Sequence, residues 1–326
     1  MRRWLQVPCD WRRPGLAGAW NLWWCDACAF GQVWPRPAPS EIPAFYDLRR
    51  YYTHSTAETG RVEARPGWSA RLLMALAWRA DRGAEPDDSW WHQLPPVGAR
   101  TALEIGCGSG QNLKLLAAQG LEVVGVEPDV AACAAARGRG LQVWAGVAEA
   151  LPAPIVARHF DLVLLAHVLE HCLDPAGALG QAAARVAPGG RLVVEVPNSA
   201  CAGLASAGAA WHWLDVPRHL NFFTRASLEA LVRRIGLVVE RVEWWGYARQ
   251  FHPEWIATEA EAEAVFAGLA AADAGRVARH RRRAWRLLAR TLFAHAARRY
   301  DSLRLILRAG QRAAVGSVMR RLSTRD

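Results

Sequence analysis

The stretch Thr101-Ala102-Leu103-Glu104-Ile105-Gly106-Cys107-Gly108-Ser109-Gly110-Gln111 decides how this chain is read. A short apolar run of strand character ends in three glycines at alternate positions, and a helix-like segment, Gln111 to Gln119, follows. Glycines so placed allow backbone angles and a close ligand approach that a Cβ would block. Two phosphate cradles can be tested against the turn. A dinucleotide fingerprint counted from Gly106 needs glycine where Gln111 stands, and counted from Gly108 it needs glycine where Leu113 stands. A P-loop needs Gly-Lys-[Ser/Thr], but the chain's one lysine, Lys114, follows Leu113. Both fail.

What remains is an acidic residue, Glu104, at a strand end before a bare turn. Its carboxylate would repel a pyrophosphate and suits a ligand with a cationic end. A second carboxylate, Glu127, ends the next strand candidate in Val123-Val124-Gly125-Val126-Glu127-Pro128, where a Rossmann-like site holds ribose hydroxyls. S-adenosylmethionine combines an adenosine ribose with an ammonium-bearing amino acid and carries no phosphate.

Outward from the turn the chain alternates strands and helices. Strand character marks Thr101–Ile105, Glu122–Val126, Leu141–Trp144, Phe160–Leu165, Arg191–Val196 and Leu237–Trp245. Helix-like segments fall at Asp129–Arg137, Pro175–Val186 and Thr224–Ile235, and Pro188-Gly189-Gly190 is a turn. This pattern predicts an α/β fold: a Rossmann-like, mostly parallel sheet with helices on both faces and ligands at the carboxyl ends of its strands.

Residues 99–246 resemble the class I S-adenosylmethionine-dependent methyltransferases, closest to the bacterial group of ubiquinone-biosynthesis-like and sugar or natural-product methyltransferases. The resemblance rests on Leu103 to Gly110, Gly125 to Pro128, Glu149-Ala150-Leu151-Pro152, Phe160 to Val163, Leu169-Glu170-His171, Ala187 to Gly190 and Pro217 to Thr224. It implies that Glu104, Gly106, Cys107, Gly108 and Gly110 hold the methionine part, and that Glu127 and Pro128 hold the ribose. It further implies that Val147, Ala148 and Glu149 lie beside adenine, and that Ala166 and His167 line the methyl-donor site.

Methyl transfer from a sulfonium is an in-line displacement, so orientation supplies much of the catalysis. An oxygen acceptor also needs a base, for which histidine is suited. His219, after Pro217 and before Asn221, is the first candidate and His171 the second. His167 and His171 are four apart, which on a helix would put both on one face. The order His-Val-Leu-Glu-His is nevertheless not the H-E-x-x-H of a metal helix, and no metal is expected there. His212, between Trp211 and Trp213, is the remaining histidine of this neighbourhood, and Trp211, Trp213 and Phe222 are candidates for the wall of an acceptor pocket or for core.

Composition divides the chain into 1–55, 56–98, 99–246 and 247–326. The first is rich in Trp, Pro and Cys, and Cys25-Asp26-Ala27-Cys28, a Pro-rich joint at 34–39, Phe45-Tyr46 and Tyr51-Tyr52 match the layout of a zinc ribbon that precedes related methyltransferases. Cys9 lacks its own partner, however, and Asp10 is a poor substitute. Cys9, Cys25 and Cys28 therefore fall one short of a structural zinc set. The module is read as a degenerate ribbon, without zinc. The second region is a helical linker with one helix at Ser69–Arg79. The last is expected to be basic and helical, with Trp285, Leu288, Leu292 and Ala296 at helical spacing. Leu303, Ile306, Leu307 and Gly310 continue that pattern, with a seventh strand over Asp301–Ala309 as the alternative.

The 326 residues are 52% hydrophobic and 21% charged, which excludes wholesale disorder and fibrous repeats. No run has the roughly 18–20 apolar residues of a membrane span, and the N-terminus lacks the apolar core of a secretory signal. Seven scattered cysteines make no disulfide framework. A cytoplasmic protein is expected. The net charge of +10 resides in the tail, where fifteen arginines face Asp301 and Asp326 from Arg276 onward. Such a tail suits packing on its own domain, or peripheral contact of 276–326 with an anionic membrane. Nucleic acid is the weakest reading, because the body is slightly acidic.

The expected function is S-adenosylmethionine-dependent methylation, on oxygen, of a small-molecule, sugar or lipid-linked acceptor. The rivals are an RNA or protein methyltransferase using the Arg-rich tail, and a catalytically silent binding module that keeps the cofactor fold.

Overall fold

The computed structural model describes residues 1–13, 18–46, 67–81 and 88–310. Tyr51-Tyr52, much of the 56–98 linker and the tail beyond 310 lie outside the described residues. In chain order the strands are β1 (Arg2–Val7), β2 (Trp20–Cys25), β3 (Phe30–Trp34), β4 (Thr101–Ile105), β5 (Glu122–Glu127), β6 (Gln142–Ala145), β7 (Phe160–Ala166), β8 (Val186–Pro197), β9 (Asn221–Phe222), β10 (Leu237–Trp245) and β11 (Ser302–Ala309). The helices are α1 (Ile42–Phe45), α2 (Trp68–Ala80), α3 (Asp88–Gln93), α4 (Gln111–Ala117), α5 (Val130–Gly138), α6 (Ala153–Val156), α7 (Pro175–Ala183), α8 (Ala202–Ala207), α9 (Arg225–Arg234), α10 (Pro253–Phe266), α11 (Ala274–Thr291) and α12 (Ala296–Arg299).

The chain forms two compact units that interleave in sequence. One comprises Met1–Ala84, Pro197–Arg225 and Trp244–Leu303; the other comprises Glu85–Val196, Ala226–Glu243 and Arg304–Asp326. Composition divides the chain into consecutive regions, because it registers only what is contiguous.

The second unit is built on a seven-stranded sheet of order β10-β11-β8-β7-β4-β5-β6. The pairs β4–β5, β4–β7, β5–β6 and β7–β8 are parallel. Thr101–Ile105 and Phe160–Ala166 are buried along most of their length, as strands covered on both faces must be. The carboxylate of Asp161 accepts from the backbone N–H groups of Arg100 and Thr101, at 2.8 and 3.0 Å, and so ties the start of β7 to that of β4. Helix starts follow their capping residues. Asp129 accepts from Ala132 N at 2.8 Å to open α5, and Asp174 accepts from Ala176 and Gly177 N ahead of Pro175 to open α7. Leu94, Ala102, Leu116, Leu162, Leu164, Val193 and Ile306 share one core cluster. Each large aliphatic side chain buried there contributes about 1.5–3 kcal/mol.

Two readings are corrected. The Pro188-Gly189-Gly190 turn does not begin the fifth strand: β8 already pairs at Val186 with Phe160, and the residues before Arg191 form an irregularity within it. The helical reading of Leu303, Ile306 and Leu307 also fails. Ser302–Ala309 is a strand between β10 and β8, and residues 302–307 are buried at successive positions. A helix could bury only one face of that segment, whereas an interior strand buries both.

The first unit holds a four-stranded sheet of order β1-β2-β3-β9, in which all three pairings are antiparallel. Its helical core gathers Leu73, Ala77, Tyr247, Phe251, Ile256, Leu287, Leu288 and Tyr300, with Trp285, Leu292 and Ala296 packed against it. The apolar stripe of α11 is thus covered within its own unit. Among the described residues no helix is long and apolar enough to cross a membrane.

Candidate functional site

At the carboxyl ends of β4 and β5, Glu104 and Glu127 flank the glycine turn, 2% and 4% exposed. Gly106 has φ 75°, and a Cβ placed on it would stand 2.5 Å from Cγ2 of Val168. Gly108 and Gly110 are also left-handed, at φ 52° and 83°. Cys107 and Gly106 both donate their backbone N–H to the carbonyl of Val126, which folds the turn over the end of β5.

The two carboxylates are used differently. Glu127 Oε2 accepts from Gly108 N at 2.8 Å and Oε1 from Asp129 N at 2.9 Å, so it braces the turn and the start of α5. Glu104 Oε1 accepts from Nδ2 of Asn112 at 2.6 Å, while its buried Oε2 has no hydrogen-bond partner. Burial raises the Glu104 carboxyl to about 8; the Asn112 hydrogen bond opposes this and the neighbouring Glu127 charge adds to it. A buried acceptor without a partner is costly, and a cationic ligand group would relieve it.

Around this turn, Ala148 is buried and Val147 is 44% exposed, while Glu149 Oε1 accepts from Leu173 N at 3.0 Å. His167 follows β7 with φ 57° and lies in an irregular turn. The left-handed residue breaks any helix between His167 and His171, so the two do not share a helical face. His167 Nδ1 is 3.0 Å from Glu170 Oε1, and Nε2 is 2.9 Å from Glu195 Oε1. Although burial disfavours the charged ring, the two carboxylates raise its pKa to about 9. Glu195 is in turn paired with Arg304 Nη2 at 2.7 Å, and Arg304 Nη1 reaches Glu243 at 3.1 Å. Trp90 donates to the same Glu243 oxygen at 2.8 Å and lies under the Arg304 guanidinium, 3.9 Å from its ring centre.

Glu104, Gly106, Cys107, Gly108, Gly110, Glu127, Ala148, Glu149, Ala166 and His167 thus all belong to the second unit, as do Pro128, Val147 and His171. Asn112, Glu195, Arg304 and Glu243 are participants that the sequence did not reveal. Asn112 carried a readable signal, eight residues after Glu104 in the first turn of the following helix. Arg304 carried none, since only sheet order brings β11 between β8 and β10.

In the first unit the segment before His219 is bolted down by charge. The Arg218 side chain is fully buried, holds Asp10 through both terminal nitrogens at 2.7 and 2.8 Å, and reaches Asp215 at 3.0 Å. Arg12 adds a 2.7 Å contact to Asp215. Asp10, weighed as a substitute metal ligand, is engaged by Arg218. Nδ1 of His219 lies 2.7 Å from the carbonyl oxygen of Trp213, which can only accept, so Nδ1 carries the proton and Nε2 is the basic end of the neutral ring. His212 stacks on Trp255 at 4.4 Å, and burial, then the Arg12 and Arg249 charges, lower it to about 4. Trp211 and Phe222 are buried, on the core side of the reading made for them. Cys107, Cys133, Cys172 and Cys201 are buried free thiols; burial pushes their pKa values up. Cys25 and Cys28 sit at the β2–β3 turn, where Cys28 N donates to Cys25 Sγ at 3.2 Å.

A family model described as a methyltransferase domain matches residues 63–242. The chain is 31% identical over 204 residues to a ubiquinone biosynthesis O-methyltransferase of Xylella fastidiosa (strain M23), covering 51% of this chain and 80% of that protein. It is 30% identical over 227 residues to the protein so named in Rhodopseudomonas palustris (strain HaA2), covering 64% and 84%. Among solved structures it is similar to a SAM-dependent methyltransferase from Archaeoglobus fulgidus, at 18% identity over 73% of this chain and 93% of that one, with a TM-score of 0.45.

Proposed function

The chain belongs to the class I S-adenosylmethionine-dependent methyltransferases, and from that premise we propose that it methylates an oxygen of a small-molecule, sugar or lipid-linked acceptor. The observation that carries the donor site is the buried, unpartnered Oε2 of Glu104 beside a turn whose Gly106 has no room for a Cβ. When bound, S-adenosylmethionine supplies an electrophilic methyl group on a positively charged sulfur. Glu104 is assigned to its ammonium and the backbone of Gly106, Cys107, Gly108 and Gly110 to the methionine part. Glu127, beside Pro128, is assigned to the ribose hydroxyls, since it is a carboxylate at the carboxyl end of the second strand of the site. Val147, Ala148 and Glu149 are assigned to adenine, and Ala166 and His167 to the methyl end.

His167, held charged between two carboxylates, does not serve as the base. Proton removal from the acceptor is assigned to Nε2 of His219, with His171 as the second candidate. The oxygen specificity is supported by the names of the curated relatives and by this basic imidazole end.

Calorimetry with S-adenosylmethionine on the wild type and on Glu104→Gln tests the donor assignment: binding by the first and at least a tenfold loss in the second are expected. Absence of binding by the wild type overturns it. Radiolabelled methyl transfer into fractionated extract tests the acceptor class, and label entering RNA or protein would overturn the small-molecule reading. With a labelled acceptor in hand, His219→Gln is expected to lower kcat by about 10²–10⁴-fold while His171→Gln leaves it near wild type.

A further inference from the structure

The glycine turn brings a neutral amide onto the carboxylate that it buries. Three left-handed glycines reverse the chain between β4 and α4, so that Asn112, eight residues on, returns to Glu104. Its Nδ2 donates to Oε1 of Glu104 at 2.6 Å, and the other oxygen, Oε2, is buried with no hydrogen-bond partner. A carboxylate only accepts and the amide nitrogen only donates, so the direction of this bond is fixed. One oxygen is thereby taken and the other is left for a ligand.

The charge of the pair matters as much as its direction. Asn112 carries none, so it orients the carboxylate without neutralising it. An arginine or lysine in its place would satisfy the oxygen and also compensate the charge. Among the described residues, the ionisable groups that bear on Glu104 are Glu127, from the end of β5, and Cys107, whose buried thiol stays uncharged. Neither supplies a cation. When Glu104 is itself uncharged, Oε1 still accepts from Asn112, and the proton therefore sits on Oε2. A cationic ligand group that approaches Oε2 displaces that proton.

We propose that Asn112 is a positioning residue of the donor site, holding Oε1 of Glu104 so that Oε2 and the full negative charge are turned to the ammonium group of the donor. This role rests on the assignment of Glu104 to that ammonium group, and it makes recognition of the cation depend on a residue that does not touch it. Burial raises the Glu104 carboxyl to about 8 and the Asn112 bond opposes the rise, so loss of the amide moves the ionisation of Glu104 further up.

Calorimetry on the full chain tests this with two probes: S-adenosylhomocysteine, which carries the amino-acid end, and methylthioadenosine, which lacks it. Asn112→Leu is expected to weaken the first about tenfold at pH 7 and to leave the second within about twofold of wild type. The loss should be larger at pH 6.5 than at pH 8.5, because the carboxyl of the variant needs a higher pH to ionise. Asn112→Lys, which ionises Glu104 but compensates its charge, should also weaken S-adenosylhomocysteine, with an affinity that no longer depends on pH. In a Glu104→Gln background Asn112→Leu should cost no more than about twofold. Methylthioadenosine binding reports folding, and Asn112→Ala replaces any variant that loses it. Equal losses for the two probes, a loss that is constant from pH 6.5 to 8.5, or an undiminished loss in the Glu104→Gln background would each overturn the proposal while the donor site stands. Wild-type protein that binds neither probe overturns the donor-site reading and this role with it.

Discussion

Nε2 of His167 lies 2.9 Å from Oε1 of Glu195, so the residue that follows β7 is tied to the carboxyl-terminal part of the neighbouring β8 by an ion pair at the rim of the sheet. Glu195 itself is held by Arg304 from β11. The imidazole therefore belongs to a charge chain, Glu243–Arg304–Glu195–His167, that crosses β10, β11 and β8 and reaches the residue after β7, whose other ring nitrogen meets Glu170. Its alternating signs let each buried charge meet an opposite one.

The chain makes folding stability depend on pH. The folded-state pKa of His167, about 9, lies above the ordinary value of 6.5. Its stabilisation is therefore complete below 6.5 and disappears as pH rises through 9. With a quarter of the side chain exposed, about 2 kcal/mol is expected to be lost over that window. Urea denaturation between pH 6 and 9.5 reads it, and His167→Gln should flatten the curve; an unchanged slope in that variant would refute the assignment.

Removing the central cation should be more damaging. Arg304→Met leaves Glu195 and Glu243 buried without their shared partner, and a loss of about 3–5 kcal/mol is expected. A drop in the denaturation midpoint is the measure. If Arg304→Met is neutral, the chain contributes no net stability.

Donor binding should release a proton. A Glu104 carboxyl near pH 8 is largely protonated at pH 7, and a cationic ligand group selects its charged form. Apparent affinity should rise about tenfold per pH unit below 8 and level off above it. Calorimetry in buffers of different ionisation enthalpy reads the proton directly. The release should vanish in Glu104→Gln, and pH-independent affinity from 6.5 to 8.5 would exclude the linkage.

The glycine turn offers a steric test. Gly106→Ala imposes a left-handed alanine, at about 1–2 kcal/mol, and drives its Cβ into Val168 Cγ2. Thermal melts should show a marked destabilisation that Val168→Ala restores in part, because the second change removes the clash and leaves the backbone strain. Additive losses in the double variant would show that the two residues do not meet.

Much of this molecule is visible in the linear chain because its signals are local. Glycines at alternate positions after a strand, a carboxylate before them and another at the end of the next strand, and Asp129 and Asp174 at helix starts all act over a few residues. Thr101–Ile105 and Leu237–Trp245 could be bounded from apolar run and turn alone for the same reason. Tertiary structure decided what depends on distant partners. Ser302–Ala309 carries helical and strand spacing at once, and only a vacant place between β8 and β10, with backbone groups on both sides to satisfy, makes it a strand. The same insertion joins Arg304 to Glu195, 109 residues earlier, while Glu195 from β8 and Glu170 together keep His167 charged. Burial acts on a group through everything that surrounds it in space, and no window of sequence contains that surrounding.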